Sequence, residues 1–465
     1  MSIDRVEFRQ TEPPRLEDDT ACPCSLRPLM SWCRAKIATL SQSINTVALF
    51  SLGFDLHRMH RWARAADPFM SSHTFPGVKI PTFHFATLPT VTSEIYYYHR
   101  DEGPFVIDNG EGSIFAYIVD MLRDASITPD NIIFTSSTKA RGNFTLFLND
   151  ALGEKRVHEK QYTLQRCAQE ALKNWASADK VNVTVQARHV VCDMMSRYFF
   201  GCADTDRSLS FAMTTFFDYI QARFGQKSFD KTKISDAREK FWSAINTAFA
   251  NPQSLAFTLR AKMQDVGLTE KETKMMLFSL FFAGIDSTTQ SLIYLIYECA
   301  KDQALQHSLR NEAEKVELLI LEALRLFPPV IGVDRVARED CELVSASDGS
   351  QTVYHKIAKG DRICPAPSII ARCPFLFPNK PNEFIPARWE GNTQSLISLP
   401  WLPFGSGKSL CPGWRLYKNF TEFFLTKMLQ NYSLKLLSTA APAQTGSFIN
   451  KLSKEVVVTV KAHEH

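Results

Sequence analysis

One cysteine stands where its neighbours make it chemically useful. Cys411 lies in Phe404-Gly405-Ser406-Gly407-Lys408-Ser409-Leu410-Cys411-Pro412-Gly413, a glycine-rich loop directly ahead of an apolar-periodic stretch. Glycine tolerates φ > 0 and close backbone approach, so such a loop can curl around a flat group and bring N–H donors near a sulfur. A thiolate at a helix N-terminus, where the backbone dipole favours negative charge, makes a good soft axial ligand for iron. A buried free cysteine in a glycine-containing turn is the alternative reading of the loop alone. A second cluster, Ala283-Gly284-Ile285-Asp286-Ser287-Thr288-Thr289, interrupts a long apolar run. An acid, three hydroxyls and a glycine inside a buried helix are locally costly, and such departures mark function. Ala283-Gly284 leaves room for something against the helix, and hydroxyls can bond the i−4 carbonyl and loosen it there. A kinked core helix with a satisfied Asp is the alternative.

The elements that must position these residues are mostly helical. Residues 268–302 form the strongest helix pattern, opened by the capping box Thr269-x-x-Glu272. At 1.5 Å per residue it runs roughly 50 Å, enough to cross a domain. It is apolar all round but for Asp286, which marks a buried core helix rather than a membrane span. Residues 305–326 form another, in which Glu322 and Arg325 share a face; such pairs are usually surface features. Trp414, Tyr417, Phe420, Phe424 and Met428 recur at helical spacing after the cysteine loop. Further helices are expected at 34–66, 115–123, 154–176, 185–200, 210–224 and 234–249, with a loop or short helix at 130–138. Strands are expected at 94–98, 105–108 (ahead of an Asn109-Gly110 turn), 352–354, 362–364 and 455–460. Residues 1–30 are polar and expected to be poorly ordered.

Composition narrows the class. A chain of 465 residues with 45% apolar content and 34 Phe predicts a Phe-rich interior or ligand cavity. A net charge of +4 with no dense basic cluster excludes nucleic acid as a partner. The 11 cysteines show no zinc spacing; Cys22, Cys24 and Cys33 read as a surface thiol group, and His57 and His60 as one helix face. No secretory signal is evident, and the free thiols fit a reducing compartment. The apolar stretch 44–56 is too short and interrupted to span a bilayer, and the mixed charges of the first twenty residues argue against a transit peptide. A soluble cytoplasmic protein without a transmembrane anchor is expected.

In chain order, Ala-Gly-x-Asp-Ser at 283–287, Glu-x-x-Arg at 322–325, Pro386-Ala387-Arg388-Trp389 and Phe-x-x-Gly-x-x-x-Cys-x-Gly at 404–413 together resemble the cytochrome P450 family, over about residues 90–460. The resemblance implies a mainly α fold with a small β region, a single domain over 31–465. It implies haem b (iron protoporphyrin IX) between the long central helix and the cysteine loop with its following helix. Cys411 would be the proximal metal ligand, and Phe404, Gly405, Gly407, Lys408, Gly413, Arg335 and Ala283 would contact the cofactor. Asp286 and Ser287 match the proton-relaying acid–alcohol pair, with Thr288 able to share the role. Phe282, Ala283, Val330, Ile331 and Phe448 would line the substrate pocket, and the 200–260 segment would be its mobile roof. Glu322, Arg325 and Arg388 would form a buried structural network bracing the cysteine loop. The chain departs from the family pattern in four places. Ser409 stands where Arg or His is usual, with Lys408 a substitute cation. No Trp-x-x-x-Arg occurs between 130 and 175, where Lys139 or Arg141, otherwise exposed loop charges, could stand in. Ser287 replaces the usual Thr, and Tyr417 a small residue.

The implied activity is that of a haem-thiolate monooxygenase, placing one oxygen atom of O2 into an apolar small molecule. Its electrons would come from a separate ferredoxin or flavodoxin, for which Lys408, Arg415 and Lys418 read equally as a docking patch or as ordinary solvated charges. A peroxide-driven peroxygenase or a haem-thiolate isomerase is the alternative enzyme, although such members tend to lose the acid–alcohol pair. A non-catalytic haem-thiolate sensor is the third reading. The missing anchor and the short interval before Glu322 resemble soluble bacterial members.

Overall fold

The computed structural model describes residues 138–463 with interruptions, chiefly at 331–334, 347–351, 406–409, 438–443 and 446–448. Ahead of these it describes Leu122 and the strands β1 (Phe69–Ser71), β2 (Phe83–Ala86) and β3 (Phe105–Val106). The segment 1–30 expected to be poorly ordered, the 34–66 helices, Cys22, Cys24, Cys33, His57, His60, the apolar stretch 44–56, the 94–98 strand and the Asn109-Gly110 turn lie outside the described residues.

The described chain is mainly helical with small sheets. In order it forms α1 (Thr138–Leu152), α2 (Glu154–Glu159), α3 (Gln161–Ala176), β4 (Val181–Asn182), α4 (Val183–Phe200), α5 (Ser208–Phe224), α6 (Lys231–Ala250), α7 (Leu255–Asp265) and α8 (Glu270–Lys301). There follow α9 (Gln303–Arg310), α10 (Val316–Leu326), β5 (Arg335–Ala337), β6 (Cys341–Ala346), β7 (Thr352–Ile357) and β8 (Arg362–Pro365). The cysteine loop then leads into α11 (Trp414–Asn431), β9 (Tyr432–Leu436), β10 (Gln444–Thr445), β11 (Lys451–Leu452) and β12 (Val457–Ala462).

The helix α8 is the axis of the fold. Thr269 Oγ1 accepts from the Glu272 amide at 3.2 Å, and the Glu272 carboxylate accepts from the Thr269 amide at 2.7 Å, closing the capping box. From Ile285 to Ala300 nearly every side chain is buried. Its first half meets α4, α5 and α6 through aromatic rings: Phe278 packs edge-on to Phe216 and Phe241, and Phe281 stacks on Phe200 at 4.8 Å. Much of the phenylalanine content is therefore core that locks the roof helices to α8, rather than cavity lining. Such ring pairs add roughly 0.5–1.5 kcal/mol each beyond the area they bury.

Two expected helices are each split, and two observed ones were not anticipated. The 154–176 pattern breaks at Lys160, whose ψ of 2° departs from the helix. The 305–326 pattern divides at the short 3-10 turn Ala313–Lys315. Lys139 and Arg141, expected as loop charges, lie in the first turn of α1; Phe144, Phe147 and Ala151, buried at i, i+3 and i+7, supply the stripe that makes this segment a helix. The helix α7 is capped by Ser254, whose Oγ accepts from the Phe257 amide at 2.9 Å.

Five strands form one sheet in the order β1-β2-β8-β5-β3, with β2 and β8 parallel. The strand β12 pairs with β4 and β9 in a second sheet, and β6 with β7 and β10 with β11 form two hairpins. Cys167, Cys192 and Cys299 are buried, Cys202 is exposed, and Cys341 and Cys411 are half-buried. Among the described residues no helix is long and apolar enough to cross a membrane.

Candidate active site

The cysteine loop is fixed at both ends. The Cys411 amide donates to the Phe404 carbonyl at 2.8 Å, closing the loop on itself. Gly405 takes φ = +69°, the left-handed region in which a side chain is strained, whereas Gly413 sits at φ = −82° and needs no such freedom. Gly413 is the N-cap of α11, so the sulfur stands at the start of an 18-residue helix. Burial pushes the Cys411 thiol up, and the amide N–H groups of Gly413 and Trp414 pull it the other way. Those two donors are what a thiolate ligand needs to spread its charge. Gly407, Lys408 and Ser409 lie outside the described residues.

Opposite chemistry comes from α8. In the middle of that helix Ala283 is exposed, and Ser279 and Ser287, one turn to either side, are half-exposed. A strip of small residues on one face of a core helix is a wall with nothing of the described protein against it. Ser287 Oγ donates back to the Ala283 carbonyl at 2.9 Å, the i−4 bond that loosens a helix. Gly284 has a different purpose: a Cβ there would meet Met195 Cε of α4 at 3.3 Å, so the glycine admits the neighbouring helix. Of the small pair, only Ala283 opens onto space. Phe282 lies half-buried between Phe217 and Phe278, with ring centroids at 5.0 and 6.0 Å. Thr288 is buried, and Thr289 is fully so, its hydroxyl without a partner among the described residues.

Asp286 does not share the open strip. It is buried and held by Arg188 of α4 at 2.7 Å and Lys451 of β11 at 3.5 Å, with the Gln290 amide nitrogen at 3.5 Å. Burial pushes its carboxyl up, but the charges of Lys451 and Arg188 outweigh it and hold it below the ordinary value. Neither cation was found from sequence. Arg188 is 98 positions from Asp286, and its helix also carries His189, Asp193 and Arg197, so nothing local singled it out.

A second junction joins the two helices. The Tyr417 hydroxyl of α11 and Ser291 Oγ of α8 lie 2.7 Å apart, both buried, and the Tyr417 ring packs 5.5 Å from that of Phe404. Ser291 follows Ser287 by one turn, so the phenol stands at the buried end of the small-residue strip. Here the side chain that replaces the usual small residue becomes a link between the cysteine helix and α8.

Behind the loop, Glu322 and Arg325 of α10 are fully buried and form a bidentate pair at 2.8 Å. Arg388 Nε reaches Glu322 at 3.0 Å, and Trp389 Nε1 donates to the same carboxylate at 3.0 Å. Arg325 also donates to the carbonyls of Ala371, Pro381 and Glu383, and Trp401 Nε1 to that of Leu324. The meander preceding the cysteine loop is thereby sewn onto α10. Val330 is half-buried and bridges Ile449, while Ile331 and Phe448 lie outside the described residues. Arg335 opens β5, its backbone paired with Ile363 of β8. Lys418 is engaged by Glu317 at 2.9 Å and Glu422 at 3.2 Å. Arg415 stacks over the Trp414 ring at 4.5 Å.

The architecture is thus a mainly helical protein with small edge sheets, a thiol presented at a helix start and a hydroxyl-bearing open strip on its central helix. A family model described as Cytochrome P450 matches residues 125–458, and the chain belongs to the cytochrome P450 family. It is 33% identical over 153 residues to a sterol 14alpha-demethylase of Mycobacterium tuberculosis, covering 32% of this chain and 30% of that protein. It is 26% identical over 243 residues to cytochrome P450 3A28 of Bos taurus, covering 48% and 45%. It is 24% identical over 298 residues to a taxane 10-beta-hydroxylase of Taxus cuspidata, covering 56% and 58%. The chain spans from under a third to under three fifths of the length of these curated relatives. Proteins of the family use haem, iron protoporphyrin IX, as cofactor. The donor set fits it: a soft sulfur flanked by two amide N–H groups, and a strip of small side chains exposed on a helix that is otherwise core.

Proposed function

We propose that the protein is a haem-thiolate monooxygenase that places one oxygen atom of O2 into an apolar small molecule, drawing electrons from a separate redox protein. The observation that carries this reading is the sulfur of Cys411 at the start of α11, supplied with the Gly413 and Trp414 amides. When bound, the haem supplies oxygen activation and C–H oxidation, chemistry that no side chain has. Cys411 would hold the metal, with Phe404, Gly405, Gly407 and Gly413 shaping the loop around it. Arg335 and Lys408 are proposed to neutralise the propionates. Ala283 gives the cofactor face of α8 its flatness. The Ser287 hydroxyl, which bonds the Ala283 carbonyl, is placed to hold a proton at the open strip, and Thr288 is its neighbour. Asp286 is the acid that would resupply that proton through water. Phe282, Val330, Ile331 and Phe448 are proposed as apolar walls.

Glu322, Arg325 and Arg388 act on structure, holding the meander that sets the loop. A ferredoxin or flavodoxin is the proposed electron donor, meeting the chain at Lys408, Arg415 and Lys418. A single domain over 31–465 and a cytoplasmic location complete the reading. The test is the reduced, carbon monoxide-treated protein, which is expected to show the long-wavelength Soret band of sulfur-ligated haem. Turnover should then require reductant with O2. A band at the position typical of histidine ligation would overturn the reading, and turnover with peroxide alone would replace it with a peroxygenase.

A further inference from the structure

Two backbone N–H groups at the start of α11, those of Gly413 and Trp414, are spent on the Cys411 sulfur. The first N–H groups of a helix have no acceptor inside it, and the turn that carries them frays unless something holds it. Gly413, the N-cap, brings no side-chain cap. The turn is closed instead at Tyr417, whose amide donates to the Gly413 carbonyl at 2.9 Å. The Tyr417 ring packs 5.5 Å from that of Phe404, whose carbonyl takes the Cys411 amide at 2.8 Å. The Tyr417 hydroxyl lies 2.7 Å from Ser291 Oγ of α8. One residue therefore touches the beginning of the cysteine loop, the end of it and the central helix.

We propose that Tyr417 is a positioning residue for the sulfur. Its bridge to Ser291 holds the first turn of α11 so that the Gly413 and Trp414 amides stay aimed at Cys411, and thereby sets how much negative charge the sulfur passes to a bound metal. The inference rests on the haem-thiolate reading of Cys411, and adds what keeps the donors to that sulfur in place.

Burial makes the bridge persistent. Ser291 is 2% exposed and Tyr417 7%, so little water competes for either oxygen. Burial also pushes the phenol up, so Tyr417 meets Ser291 as a neutral hydroxyl. A second tie joins α11 to another helix, Lys418 with Glu317, but both of those side chains are 30% exposed and such a pair contributes little. Gly413 does not fix the sulfur by contact: a Cβ there would lie 3.9 Å from Cys411 Sγ, an ordinary distance. The aim of the two amides is thus left to the backbone of the turn, and Tyr417 anchors that backbone. The small side chain usual at this position could not reach α8. A weaker N–H···S hydrogen bond leaves more charge on the sulfur, which favours the ferric over the ferrous state of a bound iron.

The test is the reduction potential of the iron in the haem-loaded protein, read by spectroscopic redox titration of wild type, Tyr417→Phe, Ser291→Ala and the double variant. Each single variant is expected to shift the ferric–ferrous equilibrium toward ferric by roughly threefold to tenfold, the scale of one weakened hydrogen bond. Tenfold is about 59 mV for a one-electron couple. The double variant should shift by no more than either single one, because all three remove the same bridge. A potential that stays at the wild-type value in variants of lowered stability overturns the inference, since the bridge then serves folding alone. Shifts that add in the double variant overturn it as well, because the two residues would then act on the sulfur separately. So does failure of both single variants to take up haem. Absence of the sulfur-ligated carbon monoxide band in the wild type overturns the haem-thiolate reading and takes this inference with it.

Discussion

Glu322 accepts hydrogen bonds from Arg325, Ile385, Arg388 and Trp389, and neither it nor Arg325 touches water. Removing the carboxylate strands a buried guanidinium, so Glu322→Ala is expected to cost about 3–5 kcal/mol, read from urea unfolding. Glu298 behaves differently. Burial raises its carboxyl above the ordinary 4.5 against the pull of Lys301 and Tyr294. A raised acid binds its proton more tightly folded than unfolded, so its contribution falls as pH rises from 4.5 through the folded value. Glu298→Gln should therefore shrink the loss of thermal stability between pH 4 and pH 7. Asp286 has the opposite sign, its carboxyl lying below 3.8 in the fold, so its contribution is complete above that pH and is lost as the pH falls further. Asp286 and Glu322 were readable from their motifs, whereas Glu298, one acid near the end of the long helix, was not singled out. The partners of Asp286 were not readable: Arg188 and Lys451 come from elements distant in sequence, and nothing local announces a pairing made only by tertiary packing.

The helices show what periodicity can and cannot deliver. Residues 270–301 were legible as one element because a capping box, a long apolar run on both sides of Asp286 and a first-turn acid all agree. Thr269→Ala should remove about 1 kcal/mol of stability, measured as a fall in melting temperature. The helix α1 escaped notice because glycine and asparagine at 142 and 143 mask the Phe144–Phe147–Ala151 stripe. The break at Lys160 was equally hidden, since no Pro or Gly marks it. Gly284 supplies a sharper test of the α4–α8 contact. Its missing Cβ faces the flexible end of Met195, so Gly284→Ala should be close to neutral. Gly284→Leu should cost roughly 1–3 kcal/mol by overpacking, seen in the same melting assay.

At the level of the molecule, three structural parts are linked: the cysteine loop with α11, the open strip of α8, and segment 328–330 with the β10–β11 hairpin bonded to it. The motif spacings named the first two. The third depends on hydrogen bonds between Asn450 and a proline pair more than a hundred residues earlier, a contact with no sequence signature. The Tyr417–Ser291 bridge joins the first two parts. Tyr417→Phe is expected to cost about 1–3 kcal/mol, because it leaves a buried serine without its partner. Combining it with Ser291→Ala should cost less than the sum of the two single changes, and urea titration of the three variants checks this.

The unequal cover of the cysteines has a practical consequence. Cys202 is open to solvent, Cys167, Cys192 and Cys299 are sealed, and Cys411 is only half covered. A brief pulse of a maleimide reagent would alkylate Cys202 whatever the state of the molecule, while, on the role proposed for Cys411, an adduct there would form only where its sulfur is not committed to a metal. The ratio of the two modified peptides in a mass spectrum therefore gauges, without any optical measurement, what fraction of a preparation carries its porphyrin.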